Sequence, residues 1–161
     1  MKRLKNKECA VLLHNIRSTH NVGSMFRTSD AAGVSHIYLS GYTPTPVDKF
    51  GRSRKDVAKV ALGAEKTIPW EYVKDPKETI KKLKKEKYSI IAIEQAKNSV
   101  DYKKVKVSGQ VLFLVGNEVD GITKDILKLC NVVAEIPMSG EKESLNVSVA
   151  FGVAVFRILG I

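Results

Sequence analysis

The sequence predicts an α/β fold: a mostly parallel sheet flanked by helices. Three observations predict it. Short apolar runs recur at intervals along the chain, from Glu8 to His14 (ECAVLLH) through Asn131 to Ile136. Segments with helical spacing of apolar residues separate these runs, and strands alternating with helices imply parallel pairing. Two of the runs, Ser89 to Glu94 (SIIAIE) and Gln110 to Val115 (QVLFLV), are apolar almost throughout and include β-branched residues, which suits strands buried on both faces.

The elements follow in order. Glu8 to His14 reads as a buried strand leading into a loop. Val22 to Ala32 is a weakly amphipathic helix, with Val22, Met25 and Phe26 on one side and Gly33 placed to end it. His36 to Ser40 is a second strand. Gly41 to Phe50 is a loop, because Pro44 and Pro46 exclude a regular helix. Ser53 to Leu62 is read as helical, and Thr67 to Pro69 is too short to assign. Pro76 to Glu86 is a helix with Ile80 and Leu83 inward and lysines outward. After the two buried strands come a short helix, Lys124 to Leu129, the strand Asn131 to Ile136, and a long helix, Leu145 to Leu159. That last helix is apolar nearly all round, so it must be covered on both sides. One side can pack on the sheet. A dimer partner is the economical cover for the other, with a loop of the same chain as the alternative.

At 161 residues, with 43% hydrophobic and 27% charged residues, the chain has the length of one domain, 1–161, with a real core. The formal net charge of +10 favours a polyanionic partner, nucleic acid or an anionic membrane surface. No apolar run approaches a membrane span, and the charged N-terminus, Met1 to Glu8, has no secretory-signal core. Nucleic acid is therefore preferred. The two cysteines, Cys9 and Cys130, lie in apolar stretches and read as buried free thiols of a reducing, cytoplasmic compartment. No Cys/His spacing suits a metal. A dinucleotide-binding glycine fingerprint and a P-loop are also absent from the sequence.

Three segments carry the chemical signal: Asn15-Ile16-Arg17-Ser18-Thr19-His20-Asn21-Val22-Gly23-Ser24-Met25-Phe26-Arg27-Thr28, then Val115-Gly116-Asn117-Glu118-Val119-Asp120-Gly121, then Ile136-Pro137-Met138-Ser139-Gly140-Glu141-Lys142-Glu143-Ser144-Leu145-Asn146-Val147-Ser148. In this order and spacing they resemble the three motifs of the SpoU (TrmH-like) branch of the SPOUT RNA methyltransferases. The resemblance implies a C-terminal trefoil knot, with Gly116 to Ile122 and Pro137 to Ser144 in its loops. It implies S-adenosylmethionine as cofactor, a homodimer formed through the last helix, and methylation of a ribose 2′-hydroxyl in tRNA or rRNA. The positions matching the family's cofactor contacts are Gly116, Ile136, Met138 and Leu145, with Glu94 a weaker match.

Transfer to an alcohol requires the reacting atoms to be held in line, the hydroxyl proton to be taken or polarised, and the neighbouring phosphate to be clamped. Arg27 matches the motif arginine at the target ribose and phosphate; the competing role is an ion pair with Asp30 on the same helix. Asn21 is either a helix cap or an RNA-placing group. Glu118 matches the acid of the second motif and could orient Arg27 or Asn21, or sit exposed before an Asp-Gly turn. Ser144 and Asn146 match the third motif, Ser144 doubling as a possible cap. Asn15 and Arg17 fit phosphate or scaffold contacts. Lys49, Arg52, Arg54, Lys55 and Lys59 form a basic group around Phe50 suited to RNA, whereas the lysines of Pro76 to Glu86 suit a solvated face. Two other readings stay open: a catalytically silent RNA-binding module, and a SPOUT enzyme that methylates a base. Relatives often carry an extra RNA-binding domain; with few residues before the first strand here, substrate choice is expected from the core surface or another protein.

Overall fold

A computed structural model describes residues 8–161. The segment before Glu8, and with it most of the N-terminal stretch read as lacking a secretory signal, lies outside the described residues. The strands are β1 (Cys9–His14), β2 (His36–Ser40), β3 (Trp70–Val73), β4 (Ser89–Ile93), β5 (Val100–Asp101), β6 (Val111–Val115) and β7 (Val132–Glu135). The helices are α1 (Thr19–Ala32), α2 (Lys55–Ala61), α3 (Ala64–Thr67), α4 (Pro76–Lys85), α5 (Lys124–Leu127) and α6 (Val147–Leu159). The strands form one sheet in the order β3-β2-β1-β6-β4-β7-β5, and every ladder in it is parallel.

Period-two alternation gives each central strand two buried faces. Val11 and Leu13 of β1, Phe113 and Val115 of β6, and Ile91 of β4 point into one core, beneath α1 and α6. Leu12, Leu112, Leu114, Ile90 and Ala92 point into the other, with Ile80 and Leu83 of α4 and Ile126 of α5. The continuous apolar runs in the sequence are thus two interleaved faces. Gly23 lets α1 lie against α2: a Cβ there would stand 2.7 Å from the Val57 carbonyl oxygen and 2.8 Å from Val60 Cβ.

Several boundaries differ from the sequence reading. Helix α1 begins at Thr19, because Ser18 Oγ accepts the Asn21 amide and caps it. Helix α6 begins at Val147, because Asn146 accepts the Ser148 amide. Strand β3 (WEYV) follows Pro69 in the stretch left unassigned and pairs with β2, while β5 is two residues long. Both are edge strands, too short to display a period. Gly33 ends α1 as expected.

Along α6, Phe151, Ala154, Val155, Ile158 and Leu159 are buried, whereas Val149 and Val153 are exposed on the opposite stripe. No segment of the described chain covers that stripe fully. Among the described residues no helix is long and apolar enough to cross a membrane. Because the strands are parallel, their C-terminal ends share one edge of the sheet, where open α/β folds place ligands.

Candidate functional site

A cleft of about 250 Å³ opens at the C-terminal ends of β4, β6 and β7. Ile93, Ala134, Ile136, Met138, Leu145 and Val147 supply its apolar walls; Glu94, Gly116, Asn117, Glu118 and Ser144 supply polar and main-chain groups. Gly116 is required at its floor, since a Cβ there would meet Ile122 Cγ1 at 2.5 Å and the Gly121 carbonyl at 2.8 Å. The Glu94 carboxylate accepts from the Ile122 amide at 3.0 Å and the Gln95 amide at 2.8 Å, tying the loop after β6 to the end of β4. Gln95 Nε2 donates to the Glu143 carbonyl at 2.8 Å and holds the loop after β7 over the cleft.

Beside the cleft, the three motif segments are joined by one network. The Glu118 carboxylate accepts from the Arg17 amide at 3.0 Å, the Ser18 amide at 3.2 Å and Asn21 Nδ2 at 3.0 Å. Asn21 Oδ1 accepts from Asn146 Nδ2 at 3.2 Å. Partial burial pushes the Glu118 carboxyl up, but the Arg17 amide, the Asn21 side chain and the Ser18 amide outweigh it and hold the group below the usual carboxylate range. Glu118 is therefore an anion that fixes two loops and the start of α1. Asn21 is only 6% exposed and lies inside the first turn of α1, so the capping role considered from the sequence belongs to Ser18. Likewise Asn146, not Ser144, caps α6; Ser144 lines the cleft.

Arg27 stands apart from this network. Its exposed side chain walls two shallow cavities on the outer side of α1, one shared with Val60 of α2 and Phe156 of α6, the other with His20 and Lys59. Among the described residues no ion pair joins Arg27 to Asp30; Asp30 accepts from Thr67 Oγ1 at 3.1 Å. Within one chain Asn21, Glu118, Asn146, Ser144 and the cofactor-matching positions come together, and Arg27 does not join them.

Asn15 leaves β1 in the left-handed backbone region, φ 56°, which asparagine tolerates better than most residues. Its Oδ1 accepts the Tyr42 amide at 3.2 Å. Arg17 is exposed beside Glu118. Arg52 and Arg54 are engaged locally, with Asp48 at 2.8 Å and Asp56 at 3.0 Å, and Lys55 is exposed.

Asn117 escaped the sequence reading. It is 7% exposed, donates to the Asn15 carbonyl at 3.0 Å and to Tyr42 Oη at 2.7 Å, and accepts the Val119 and Asp120 amides at 2.8 Å. Its place between Gly116 and Glu118 was the available signal. Cys9 and Cys130 are unpaired, and burial pushes their thiols up to about 12 and about 11. Among the described residues no cluster of histidine, cysteine or carboxylate could hold a metal ion.

Residues 8–156 match the model of the SpoU rRNA Methylase family. The chain is 29% identical over 153 residues to a tRNA (guanosine(18)-2′-O)-methyltransferase of Aquifex aeolicus, covering 95% of this chain and 69% of that protein. It is 32% identical over 147 residues to the 23S rRNA (guanosine-2′-O-)-methyltransferase RlmB of Vibrio vulnificus, covering 91% and 57%. The fold superposes on the AdoMet-bound rRNA methyltransferase of Sinorhizobium meliloti with a TM-score of 0.83 at 29% identity, over 94% of this chain and 55% of that one. The chain thus spans little more than half the length of two of these three proteins.

Proposed function

The chain belongs to the SpoU rRNA methylase family, and we propose that residues 1–161 form one domain that methylates a ribose 2′-hydroxyl of tRNA or rRNA from S-adenosylmethionine. The observation that carries this reading is the Glu118–Asn21–Asn146 network, which draws the three motif segments to one cleft. The cleft residues fit the cofactor: Ile136, Met138 and Leu145 offer apolar walls to an adenosyl group, and main chain bared at Gly116 offers polar contacts. When bound, S-adenosylmethionine supplies an electrophilic methyl group on a sulfonium.

The remaining work falls to the chain. Glu118 fixes the loops that border the methyl site, and the buried Asn21 passes that constraint to Asn146, whose exposed side chain faces the substrate ribose. Arg27 grips the adjoining phosphate through two parallel hydrogen bonds and stabilises negative charge developing on the attacking oxygen. A guanidinium stays protonated near neutrality, so its role is positioning and electrostatics rather than proton uptake. Asn15, Arg17, Arg52, Arg54 and Lys55 steer and hold the RNA backbone, together with the +10 net charge.

A second copy of the chain brings Arg27 to the chemistry. Val147 and Ala150, in the first turns of α6, wall the cleft, while Phe156, near its other end, stands beside Arg27. Two α6 helices packed antiparallel through Val149 and Val153 would set the end of one beside the start of the other. Each Arg27 would then approach the partner's cleft, and the self-complementary contact would cover the apolar stripe. The same reading includes a trefoil knot. Its supporting feature is the order β6-β4-β7, with the loops from Gly116 to Ile122 and from Pro137 to Ser144 meeting over one cleft. A cytoplasmic location accords with the two free thiols.

The test is incubation with methyl-labelled cofactor and tRNA or rRNA, followed by nucleoside analysis. A 2′-O-methylnucleoside is expected. Arg27→Ala should lower transfer at least ~100-fold with cofactor affinity retained. A methylated base, or cofactor binding without transfer to either RNA class, would overturn the reading.

A further inference from the structure

Three aromatic side chains among the described residues are well exposed, and they come from the loop after β2 and from the neighbouring strand β3. Tyr42, Phe50 and Tyr72 are 56%, 69% and 48% exposed. Tyr42 and Phe50 follow β2, and Tyr72 is on the neighbouring β3. Tyr72 Oη donates to the Gly41 carbonyl at 2.9 Å, and Tyr42 Oη accepts from Asn117 Nδ2 at 2.7 Å, so the strip runs directly into the loop that borders the cleft. Sheet order sets the two tyrosines in line with the cleft: Tyr72 is on β3, Tyr42 follows β2, Asn15 and Arg17 follow β1, and β6, β4 and β7 end at the cleft.

Phe50 is held out on a built support. Val47 and Ser53 pair as an antiparallel bridge, and the Asp48 amide donates to the Arg52 carbonyl at 2.8 Å. The Asp48 carboxylate accepts from the Phe50 amide at 2.8 Å and from the Arg52 amide and Nε at 3.0 and 2.8 Å. Lys49 Nζ and the Arg52 guanidinium carbon each stand 5.0 Å from the Phe50 ring centroid. A solvent-facing ring in a braced turn, flanked by two cations, has the chemistry of a stacking site for a nucleobase. The phosphates on either side of that base would draw the cations off the ring.

We propose that Tyr42, Phe50 and Tyr72 form a stacking strip for unpaired bases, so that the RNA segment seated here is a single-stranded loop rather than a duplex. Paired bases hide their faces inside the helix, whereas a loop can splay them onto aromatic side chains. The inference rests on the RNA substrate proposed above and names its structural class.

Phe50→Trp tests it in the full-length protein, with the unsubstituted protein correcting for the emission of Trp70, its single tryptophan. A single-stranded oligoribonucleotide should quench the added emission, and the same sequence as a duplex should not, at equal salt. Phe50→Ala should weaken single-strand binding by roughly 5- to 150-fold, the range of one base–aromatic stack, with thermal stability and cofactor affinity unchanged, while Phe50→Trp retains binding. Equal affinity of Phe50→Ala and the unsubstituted protein for the single strand overturns the strip. So does emission that follows protein concentration but not RNA, which would mark a contact between copies. Methyl transfer undiminished in Phe50→Ala would defeat this inference alone. Quenching by single strands without any methyl transfer would leave the strip standing and defeat the enzymatic reading.

Discussion

Glu118→Gln is the sharpest probe of the network, because it keeps size and shape and changes only charge and donor pattern. Both carboxylate oxygens are acceptors: Oε2 takes the Arg17 amide, and Oε1 takes the Ser18 amide and Asn21 Nδ2. A glutamine has one acceptor oxygen. Placed towards Ser18 and Asn21, it turns its own NH₂ against the Arg17 N–H; flipped, it faces two donors. At least one bond is lost and the others lose their charge. Hydrogen bonds to a charged group are worth ~1.5–3 kcal/mol and neutral ones ~0.5–1.5, and water can reach this half-buried group. The expected cost is about 1–3 kcal/mol, or roughly 2–10 °C in Tm for a chain of this size. The pH dependence has a definite sign. Because the folded-state pKa of Glu118 is depressed, its contribution is complete above the unfolded value of ~4.3 and is lost as pH falls through the folded value. Thermal melts of the two proteins between neutral pH and about pH 3 should therefore converge on acidification. A Tm gap that stays constant with pH, or no gap at pH 7, would refute the reasoning.

Further predictions follow from the same geometry. Asn146→Ala removes the α6 cap and the bond to Asn21, and should cost about 1–2 kcal/mol in urea denaturation while weakening cofactor binding in calorimetry. Gly116→Ala drives a methyl to within 2.5 Å of Ile122 Cγ1; destabilisation of ~1–3 kcal/mol should accompany a collapse of cofactor affinity, and unchanged affinity would show that the two loops can separate freely. Val153→Asp puts a charge on the bare stripe of α6; sedimentation should report a monomer, and methyl transfer should fall with dimer content although each cleft is intact.

The central sheet was legible because its residues obey a simple rule. Runs such as Val111 to Val115 are short and apolar at every position, which suits a strand covered on both faces. Strand β3 was not legible: Trp70, Glu71, Tyr72 and Val73 are an edge strand, held by pairing with β2 and not by any pattern of their own. The caps were ambiguous for a related reason. Ser18 and Asn21, or Ser144 and Asn146, are equally good cap residues, and the choice falls to tertiary partners: Glu118 claims the Asn21 side chain, which leaves Ser18 Oγ to accept the Asn21 backbone N–H and begin α1. The placement of Arg27 had no sequence signal at all, since a helix face is assigned only when its neighbours are known.

What links the legible part to the illegible part is strand register. Leu13 pairs with Val115 in the β1–β6 ladder. Asn15 and Asn117 therefore leave the sheet two residues past the same rung, and Asn117 Nδ2 reaches the Asn15 carbonyl at 3.0 Å. A slip of one residue would turn Phe113 and Val115 out of the core shared with α1 and α6, which their burial forbids. The hydrophobic alternation of two strands thus determines which polar side chains meet at their ends. Glu118 is one residue further along, and from there it can reach Arg17, Ser18 and Asn21 together. The site is in this sense a consequence of the core: a substitution at Phe113 or Leu13, remote from the cleft, should disturb the Glu118 network before it unfolds the chain.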